Sequence, residues 1–284
     1  MKTTLILLAF GASAFAQSTI APAQPFAWGV NLGWLNARPA ATYGVRTADT
    51  VCSGLVWSAN VGWINLGSGT PQNGWRYTNT EGDWGVNVQP DGTLRGFAWG
   101  TNIGWVNFET TGNPRIDLAS GAFVGLAWSP NVGWLNLGDA TFHPTSTTLA
   151  ITDTDGDGIS DAWEMEAAGN LTTLSRNGDA DGDGVSDFDE YLADTDPLDP
   201  SKRLRITRYD LTQAGPVPTQ NLEFTSQPSR FYRLETRLSL TSGAWADAGP
   251  GLFPGQPEST LLDLGAPAPA QRFYRITAQR PLAP

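Results

Sequence analysis

Two twelve-residue acidic segments near the middle of the chain carry the residues best suited to chemistry. Residues 153–164 and 179–190 both place acids at positions 1, 3, 5, 9 and 12 and glycine at position 6. Alternating carboxylates can wrap a hard cation, the glycine permits a sharp turn, and a position-7 carbonyl and a closing glutamate complete the shell. Neither segment contains a thiolate or imidazole for a softer metal. The spacing therefore predicts two calcium ions, one in each segment.

The sequence around these segments departs from a full helix–loop–helix EF-hand. The hydrophobic residue stands at position 7, as Ile159 and Val185, whereas position 8 holds serine. Residues 145–152 are β-branched, so only the exiting helices are expected, over residues 161–168 and 187–193. With its ending at residues 194–200, this pattern resembles the thrombospondin type 3-like, EF-hand-like calcium repeats of bacteria. It is less closely similar to dockerin modules.

The resemblance implies a ligand set for each ion, made of five acidic side chains and the position-7 carbonyl. For the first ion these are Asp153, Asp155, Asp157, the carbonyl of Ile159, Asp161 and Glu164. For the second they are Asp179, Asp181, Asp183, the carbonyl of Val185, Asp187 and Glu190. Asp194, Asp196 and Asp199 follow, and the sequence leaves open whether they contribute.

Charge and the scarce residue types exclude several classes of function. Residues 146–200 carry one arginine against fifteen acids, a charge of −14 that exceeds the net charge of −11 of the whole chain. A block of this charge does not bind nucleic acid. Cys52 is the only cysteine, which excludes an intramolecular disulfide, and with His143 as the only histidine, histidine-based hydrolysis is not expected.

The first sixteen residues have the three parts of a secretory signal peptide. Lys2 supplies the positive start, residues 5–10 the apolar run, and Ala14 and Ala16 the small residues of a cleavage site. The apolar run is shorter than the roughly 20 residues needed to cross a bilayer. We therefore expect a secreted, extracellular protein that begins at Gln17 and has no membrane insertion or lipid anchor.

The region at 17–145 repeats one eleven-residue phrase four times, at residues 26–36, 55–65, 97–107 and 126–136. Each copy contains two tryptophans and predicts a β-hairpin, with the turn asparagine in the left-handed conformation. In the fourth copy the expected register sets Trp128 opposite Val132 and Leu126 opposite Trp134. Strand-like residues precede three copies, which predicts an array of three-stranded meanders, either stacked or in a ring. The phrase resembles tandem repeats of uncharacterised bacterial exported proteins.

The repeated tryptophans and the remaining aromatic residues receive different interpretations. Eight large rings on one face of the hairpins favour a packed core. Trp75, Tyr77 and Trp84 lie in or beside the longer joint between the second and third copies, outside the repeated phrase. An aromatic there is harder to assign to a core, so these three residues are the candidates for stacking on a sugar or contacting a protein.

Residues 201–284 read as short strands separated by turns rich in proline and glycine. The sequence Arg-Phe-Tyr-Arg occurs at 230–233 and again at 272–275, so two strands present inward faces of similar chemistry. This favours a small β-sandwich, and the region resembles the immunoglobulin-like C-terminal modules of exported bacterial proteins. The whole chain is thus predicted to be mainly β, with the acidic repeats at 146–200 between two β domains.

Three classes of function follow from these observations. The first is a secreted, calcium-stabilised surface-display, adhesion or glycan-binding protein without catalytic activity, whose partner is a glycan or a cell surface. The second is a structural subunit of an extracellular layer or filament, which self-associates. The third, a glycoside hydrolase or its accessory domain, rests only on Glu81 and Asp83, the one close acidic pair in the repeat region.

Overall fold

The computed structural model describes residues 17–138, 145–212, 219–265 and 272–283. The predicted signal peptide at 1–16 lies outside these ranges. Within them the chain forms eighteen β-strands and two short α-helices, so the structure is mainly β as the sequence predicts. None of the helices described is long and apolar enough to cross a membrane.

The four repeated phrases form four short hairpins that close into one ring of eight strands. Their strands are β1 (Phe26–Gly29) with β2 (Gly33–Asn36), β4 (Val51–Ser58) with β5 (Gly62–Asn65), β7 (Leu94–Gly100) with β8 (Gly104–Asn107), and β11 (Leu126–Ser129) with β12 (Gly133–Asn136). Each hairpin pairs with the next along the chain, and β12 pairs with β1. Of the two associations left open by the sequence, the ring is the one formed.

Four shorter strands extend the ring on one side of the hairpins: β3 (Val45–Thr47), β6 (Val86–Val88), β9 (Arg115–Ile116) and β10 (Phe123–Val124). β3 pairs with the start of β4, and β6 pairs with the starts of both β4 and β7. β9 and β10 pair with each other just before β11. These additions lengthen the hairpins at the end away from their turns.

The tryptophans lie on the outside of the ring, so the prediction that they form the core is wrong. All eight are 37–52% exposed, whereas the alternate positions point inward. The inward residues are small and aliphatic, as with Leu35, Ile64, Val106 and Leu135. The interior of an eight-stranded closed sheet is just wide enough for side chains of this size. Both faces of each strand are apolar, and the larger residues take the outer face.

The predicted hairpin register is also wrong, by one residue at the turn. Trp128 pairs with Trp134 and Leu126 with Asn136, and the same pairing recurs in the other three hairpins. The turn asparagines do not have positive φ; the glycine two residues later does, with φ +80° at Gly133. Glycine adopts this conformation without a steric penalty. The loop of each hairpin therefore lies one residue further along the chain than the predicted loop.

The two tryptophans of a pair pack against each other across the hairpin. Ring centroids are 5.0 Å apart for Trp28 and Trp34, 4.7 Å in the second hairpin and 4.8 Å in the third. In the first hairpin the Ala37 amide donates to the Pro25 carbonyl (2.7 Å), three positions from the tryptophan pair. Because hydrogen-bonded and non-hydrogen-bonded pairs alternate, the tryptophans occupy a non-hydrogen-bonded position, where side chains approach most closely.

A circle of four asparagine side chains joins the hairpin turns to one another. Asn60 Nδ2 donates to the Leu32 carbonyl in the preceding turn (2.9 Å), and Asn102 Nδ2 donates to the Val61 carbonyl (3.0 Å). Asn131 and Asn31 repeat the contact, at 2.9 Å to Ile103 and 3.1 Å to Val132. The last of these links the first hairpin to the fourth, so the same contact closes the circle.

The C-terminal region consists of two three-stranded antiparallel sheets. Its strands are β13 (Ile206–Thr212), β14 (Thr219–Ser226), β15 (Phe231–Arg237), β16 (Ala246–Pro254), β17 (Glu258–Asp263) and β18 (Phe273–Gln279). The sheet orders are β13-β14-β17 and β16-β15-β18. Buried Leu222 and Phe224 from the first sheet share one core with Tyr232 and Leu234 from the second.

Between the two β regions lie helices α1 (Asp161–Ala167) and α2 (Asp187–Ala193), each following one acidic segment. They match the predicted exiting helices to within one residue. A small core of Ile159, Trp163, Leu174 and Tyr191 joins them. Ile159 is fully buried there, so the position-7 side chain of the first segment serves the helix packing.

Candidate calcium sites

In each acidic loop, the first three aspartates converge on one small volume. Carboxylate oxygens of Asp153, Asp155 and Asp157 lie within 4.8 Å of one another, and those of Asp179, Asp181 and Asp183 do the same. These six are half of the twelve predicted ligand positions. Such clustering of oxygens suits a hard cation, because calcium takes six to eight oxygen ligands at about 2.3–2.6 Å.

Hydrogen bonds from the main chain hold the loops in this shape. Asp153 Oδ1 accepts from the Gly156 amide (2.8 Å) and its Oδ2 from the Gly158 amide (3.0 Å). Asp179 receives the equivalent pair from Gly182 and Gly184, at 2.9 and 3.0 Å. The glycine at position 6 has a φ of +94° in the first loop and +91° in the second. The two loops therefore share one backbone conformation, as their sequences predict.

The position-9 aspartates close the loops. Asp161 Oδ1 accepts from the Thr154 amide (2.8 Å). The fully buried Asp187 accepts from the Ala180 and Ser175 amides, both at 2.9 Å. Each carboxylate therefore ties the start of its helix to the start of its own loop. The position-7 carbonyls of Ile159 and Val185 lie in the same loops, and their role as ligands stays a prediction.

The position-12 glutamates are buried without adequate partners. Glu164 is 0% and Glu190 1% exposed. Both carboxylate oxygens of Glu164 and the Oε2 atom of Glu190 have no hydrogen-bond partner, and the same holds for Oδ2 of Asp157 and of Asp181. A buried carboxylate left unpaired is costly, so these atoms need a counter-charge. A cation bound between the loop oxygens supplies it, and the residues present fit calcium.

The electrostatics of the two glutamates agree with that conclusion. Burial, reinforced by the charges of Asp155 and Asp157, raises the pKa of Glu164 to about 7. Burial also raises the pKa of Glu190 to about 8; a hydrogen bond from Thr195 opposes the shift, and nearby aspartates add to it. At pH values below these, each glutamate holds a proton that a divalent cation must displace on binding.

Each loop is also contacted by one arginine side chain that the sequence analysis does not predict. Arg176 Nη1 donates to the Asp157 carbonyl (3.1 Å), and its guanidinium lies 3.8 Å from the ring centre of Phe188. Arg203 Nη1 donates to the Asp183 carbonyl (2.9 Å) and approaches the carboxylate of the same residue (3.3 Å). Arg176 is the only basic residue within 146–200, which is the signal that could have identified it.

A comparison with known proteins gives a match in this part of the chain. Residues 153–169 and 179–200 match the family model of the bacterial TSP3 repeat. Both acidic loops lie within the matched residues. Such repeats bind calcium and are found in extracellular proteins, which supports the calcium-binding character predicted for the two aspartate triplets. No curated protein and no solved structure matches the chain.

The TSP3 segment, residues 153–200, contacts both β regions through Tyr191 of α2. The N-terminal region that contains the eight-stranded ring is called the tryptophan ring domain below. The Tyr191 hydroxyl donates to Asp49 of this domain (3.3 Å), and Arg280 pairs with the same aspartate. The guanidinium of Arg230 lies 5.7 Å from the Tyr191 ring centre and that of Arg280 5.5 Å from it. Arg230 Nη2 also donates to the Tyr191 carbonyl (2.9 Å). One buried tyrosine thus links three parts of the chain.

Asp194, whose role was left open, links the two TSP3 repeats to the C-terminal region. Its Oδ1 accepts from Trp163 Nε1 of α1 (3.0 Å) and lies 3.4 Å from Arg230. Its other oxygen accepts from the Ser229 hydroxyl. Asp196 and Asp199 accept from the amides of Leu198 and Ser201, at 3.0 Å each. These contacts show structural roles for all three aspartates.

The predicted aromatic ligand site is dispersed among separate packing contacts. Tyr77 is only 4% exposed, and its hydroxyl accepts from the Gly69 amide (2.6 Å). Its ring fills the space beside Gly67 and Gly85, where any larger residue would collide with it. Such burial leaves Tyr77 little surface for a ligand.

The other two aromatic candidates are half-buried. Trp75 lies under the Arg76 guanidinium, 4.8 Å from it. Trp84 packs edge-on against Trp105 at 5.3 Å and so adjoins the outer tryptophans of the ring. Of the three candidates, Trp84 is the one beside a larger aromatic surface.

The acidic pair that motivated a hydrolase also has a structural explanation. Asp83 is 4% exposed and accepts from the Thr78 amide and hydroxyl, both at 2.9 Å, and from the Gln72 amide (3.2 Å). Burial alone would raise the pKa of Asp83, but these hydrogen bonds outweigh it and leave the pKa below its ordinary value. Asp83 thus stabilises the joint between hairpins.

Proposed function

We propose that the chain is a secreted, non-catalytic protein for surface display and adhesion, in which calcium fixes the relative position of two β domains. The observation that carries the proposal is the set of unpaired buried carboxylate oxygens at Glu164 and Glu190. They lie on the helices whose other residues contact both domains. Calcium that pairs these oxygens also stabilises the helices, and with them the contacts on either side.

The two loops have separate roles in this proposal. Helix α1 faces the ring domain, since Glu166 pairs with Arg76 (3.7 Å) and Met165 packs on Gly74. The second loop and α2 face the C-terminal region, through Arg203 on Asp183 and through Tyr232, whose hydroxyl donates to the Ala193 carbonyl (3.3 Å). Loss of the first ion should therefore weaken contacts to the ring domain. Loss of the second should weaken contacts to the C-terminal region, and also the hydrogen bond from Tyr191 of α2 to Asp49 of the ring domain.

Calcium titration by calorimetry, with a substitution in each loop, tests the proposal. Asp157→Ala and Asp183→Ala should each lower the stoichiometry by about one ion, with dissociation constants on the order of 10⁻⁴–10⁻³ M for the remaining extracellular-type site. Asp91→Ala, an exposed aspartate outside the segment, is the matched control. Wild-type protein that binds no ion at millimolar calcium would contradict the proposal.

The strand order of the C-terminal region supports an immunoglobulin-like topology. The orders β13-β14-β17 and β16-β15-β18 correspond to strands A-B-E and C′-C-F of that fold. Display domains of this kind hold their loops on a rigid sandwich, which fits an extracellular role. An experimental structure of the full chain with a different order of strands in either sheet would refute the assignment.

The alternative, a structural subunit of an extracellular layer or filament, is favoured by the outward tryptophans, which present apolar surface on all sides of the ring. Electron microscopy of concentrated protein in calcium separates the two proposals. Regular filaments or sheets would support the subunit, and dispersed particles would support the display protein.

A further inference from the structure

The outer surface of the ring repeats one chemical unit four times. We define the tryptophan belt as the eight outward tryptophans together with the asparagine that ends each hairpin. Its members are Trp28, Trp34, Trp57, Trp63, Trp99, Trp105, Trp128 and Trp134, with Asn36, Asn65, Asn107 and Asn136. Each of these asparagines lies directly opposite the first tryptophan of the next hairpin around the ring, as Asn65 does with Trp99.

The belt asparagines use only half of their hydrogen-bonding capacity. Each Oδ1 accepts the main-chain amide two residues later, at distances of 2.9, 2.9, 2.6 and 3.2 Å around the ring. Their Nδ2 groups have no acceptor among the described parts of the chain. All four side chains are partly exposed. The ring thus displays four carboxamide donors, each held in place by its own turn and set beside an indole.

This chemistry fits a neutral, hydroxyl-rich ligand. Indole faces pack against apolar C–H surfaces, and carboxamide donors bind hydroxyl oxygens. The belt contains no charged side chain, and residues 17–145 as a whole carry five arginines against seven acids. Charge complementarity therefore favours neither a polyanion nor a polycation. A pyranose ring offers both the apolar face and the hydroxyl groups that the unit can bind.

The size and curvature of the belt argue against a protein partner or a second copy. At 37–52% exposure, each indole leaves about 100 Å² accessible, given roughly 250 Å² for the whole ring. A closed ring is convex, so one flat partner meets about two neighbouring hairpins, or about 400 Å² of indole. A stable protein interface buries about 800 Å² on each partner, so the indoles of two hairpins supply only about half of that area. A polymer of small repeating units, by contrast, can follow the ring from one hairpin to the next.

We propose that the tryptophan belt binds neutral polysaccharides, with indole rings against pyranose faces and the belt asparagines donating to sugar hydroxyls. The inference rests on the proposed adhesive function and names its ligand class. Four equivalent units give multivalent binding, so weak single contacts combine along one chain. Trp84, packed on Trp105, enlarges the unit of the third hairpin.

Co-sedimentation of the full chain with insoluble cellulose, chitin and starch in millimolar calcium tests the proposal. The decisive variant is Asn65→Asp combined with Asn107→Asp, because aspartate keeps the Oδ1 acceptor of the turn and removes the Nδ2 donor. We expect about tenfold weaker binding at an unchanged melting temperature. Asn113→Asp combined with Gln24→Glu is the control, since it adds the same two negative charges at exposed residues of this domain outside the belt.

The outcomes separate this inference from the calcium proposal. Binding to at least one neutral polymer that resists added salt and weakens in the double variant supports the inference. No binding to any of the three polymers, or equal binding by the double variant, overturns it. Protein that fails to bind a polymer but melts higher in calcium than in chelator contradicts only the inference. Polymer binding without any calcium effect contradicts only the calcium proposal.

Discussion

The tryptophan ring domain and the TSP3 segment achieve order in opposite ways. The ring is held together by contacts among its own residues: turn asparagines donate to neighbouring carbonyls, tryptophans pack across hairpins, and aliphatic side chains fill the interior. The TSP3 segment places ten acidic residues at the predicted ligand positions of its two loops and leaves buried carboxylate oxygens without partners. The contacts of the first region lie within the folded chain, whereas the buried carboxylates of the second call for a counter-charge. Stability in the two regions should therefore respond to different perturbations.

Removal of calcium should produce the largest difference between the regions. At a calcium concentration about 100-fold above the dissociation constant, each independent site adds about 2.7 kcal/mol to the free energy of unfolding. In chelator we expect the TSP3 segment to lose protection from hydrogen exchange while the ring keeps it. Hydrogen exchange measured peptide by peptide in calcium and in chelator checks this. Equal loss of protection in both regions would show that the ring also depends on the ion.

The pH dependence in chelator should sharpen the same contrast. Glu164 and Glu190 have folded-state pKa values of about 7 and about 8, above the ordinary 4.5. A raised pKa means that the folded state binds the proton more tightly, so this stabilisation is present below about pH 4.5 and is lost as pH rises through 8. We expect the metal-free melting temperature to fall between pH 5 and 8. Calcium replaces the protons and should abolish this contribution.

Glutamine substitutions provide the control for that measurement. Glu164→Gln with Glu190→Gln mimics the protonated side chains, so melting of the metal-free variant should depend less on pH than melting of the wild type. An unchanged slope in the variant would assign the pH dependence to other groups.

A tryptophan substitution should have a moderate effect that is limited to the ring. Trp99→Ala removes the partner of Trp105, 4.8 Å away, but the ring it deletes is already 38% exposed. We expect a loss of about 2 kcal/mol, less than the 3–5 kcal/mol typical of a fully buried aromatic residue. Thermal melting in calcium measures the loss, and calcium stoichiometry should not change. A loss of about 3–5 kcal/mol in the free energy of unfolding would instead indicate that these tryptophans are part of the core.

The smallest effect is expected at the circle of turn asparagines. Asn102→Ala removes one hydrogen bond to the Val61 carbonyl at an exposed turn. The expected loss is about 1 kcal/mol, the typical net value of one hydrogen bond. Asn73→Ala would be a poor control because its side chain caps a turn. Asn113→Ala would be another, because Asn113 has a φ of +50°, where alanine is strained. Asn177→Ala is the control, since it changes an exposed asparagine for which no side-chain hydrogen bond is seen in the described chain. Equal melting of the two variants would mean that the circle adds nothing.

The acidic loops were predictable because their structure is local. Ligand positions, glycine positions and the start of each helix all fall within twelve residues, so spacing alone specifies the conformation. Distant residues such as Arg203 were not predictable, since the chain must fold before this side chain reaches Asp183. The same holds for Asp194, whose partners come from α1 and from the C-terminal region.

The ring was only half predictable for a different physical reason. Period-two alternation shows that Trp28 and Phe26 share a face, and that Ala27 takes the other, but both faces are apolar. Which face turns inward depends on the width of the closed sheet, and that width is set by how many hairpins join. Likewise β16 is not apparent from the sequence, because glycine and proline at 249–251 are typical of a turn, and its pairing with β15 shifts register there.

Closure of the ring has a consequence for how the protein can be made. Strand β1 finds its second neighbour only in β12, more than a hundred residues later, so its edge stays open until the fourth hairpin has emerged. Open strand edges are templates for wrong pairing between chains. A chain that stops after the second or third hairpin therefore has two unmatched edges and no way to cover them. Stepwise loss of repeats should thus lead to aggregation, since the hairpins fold as a set of four.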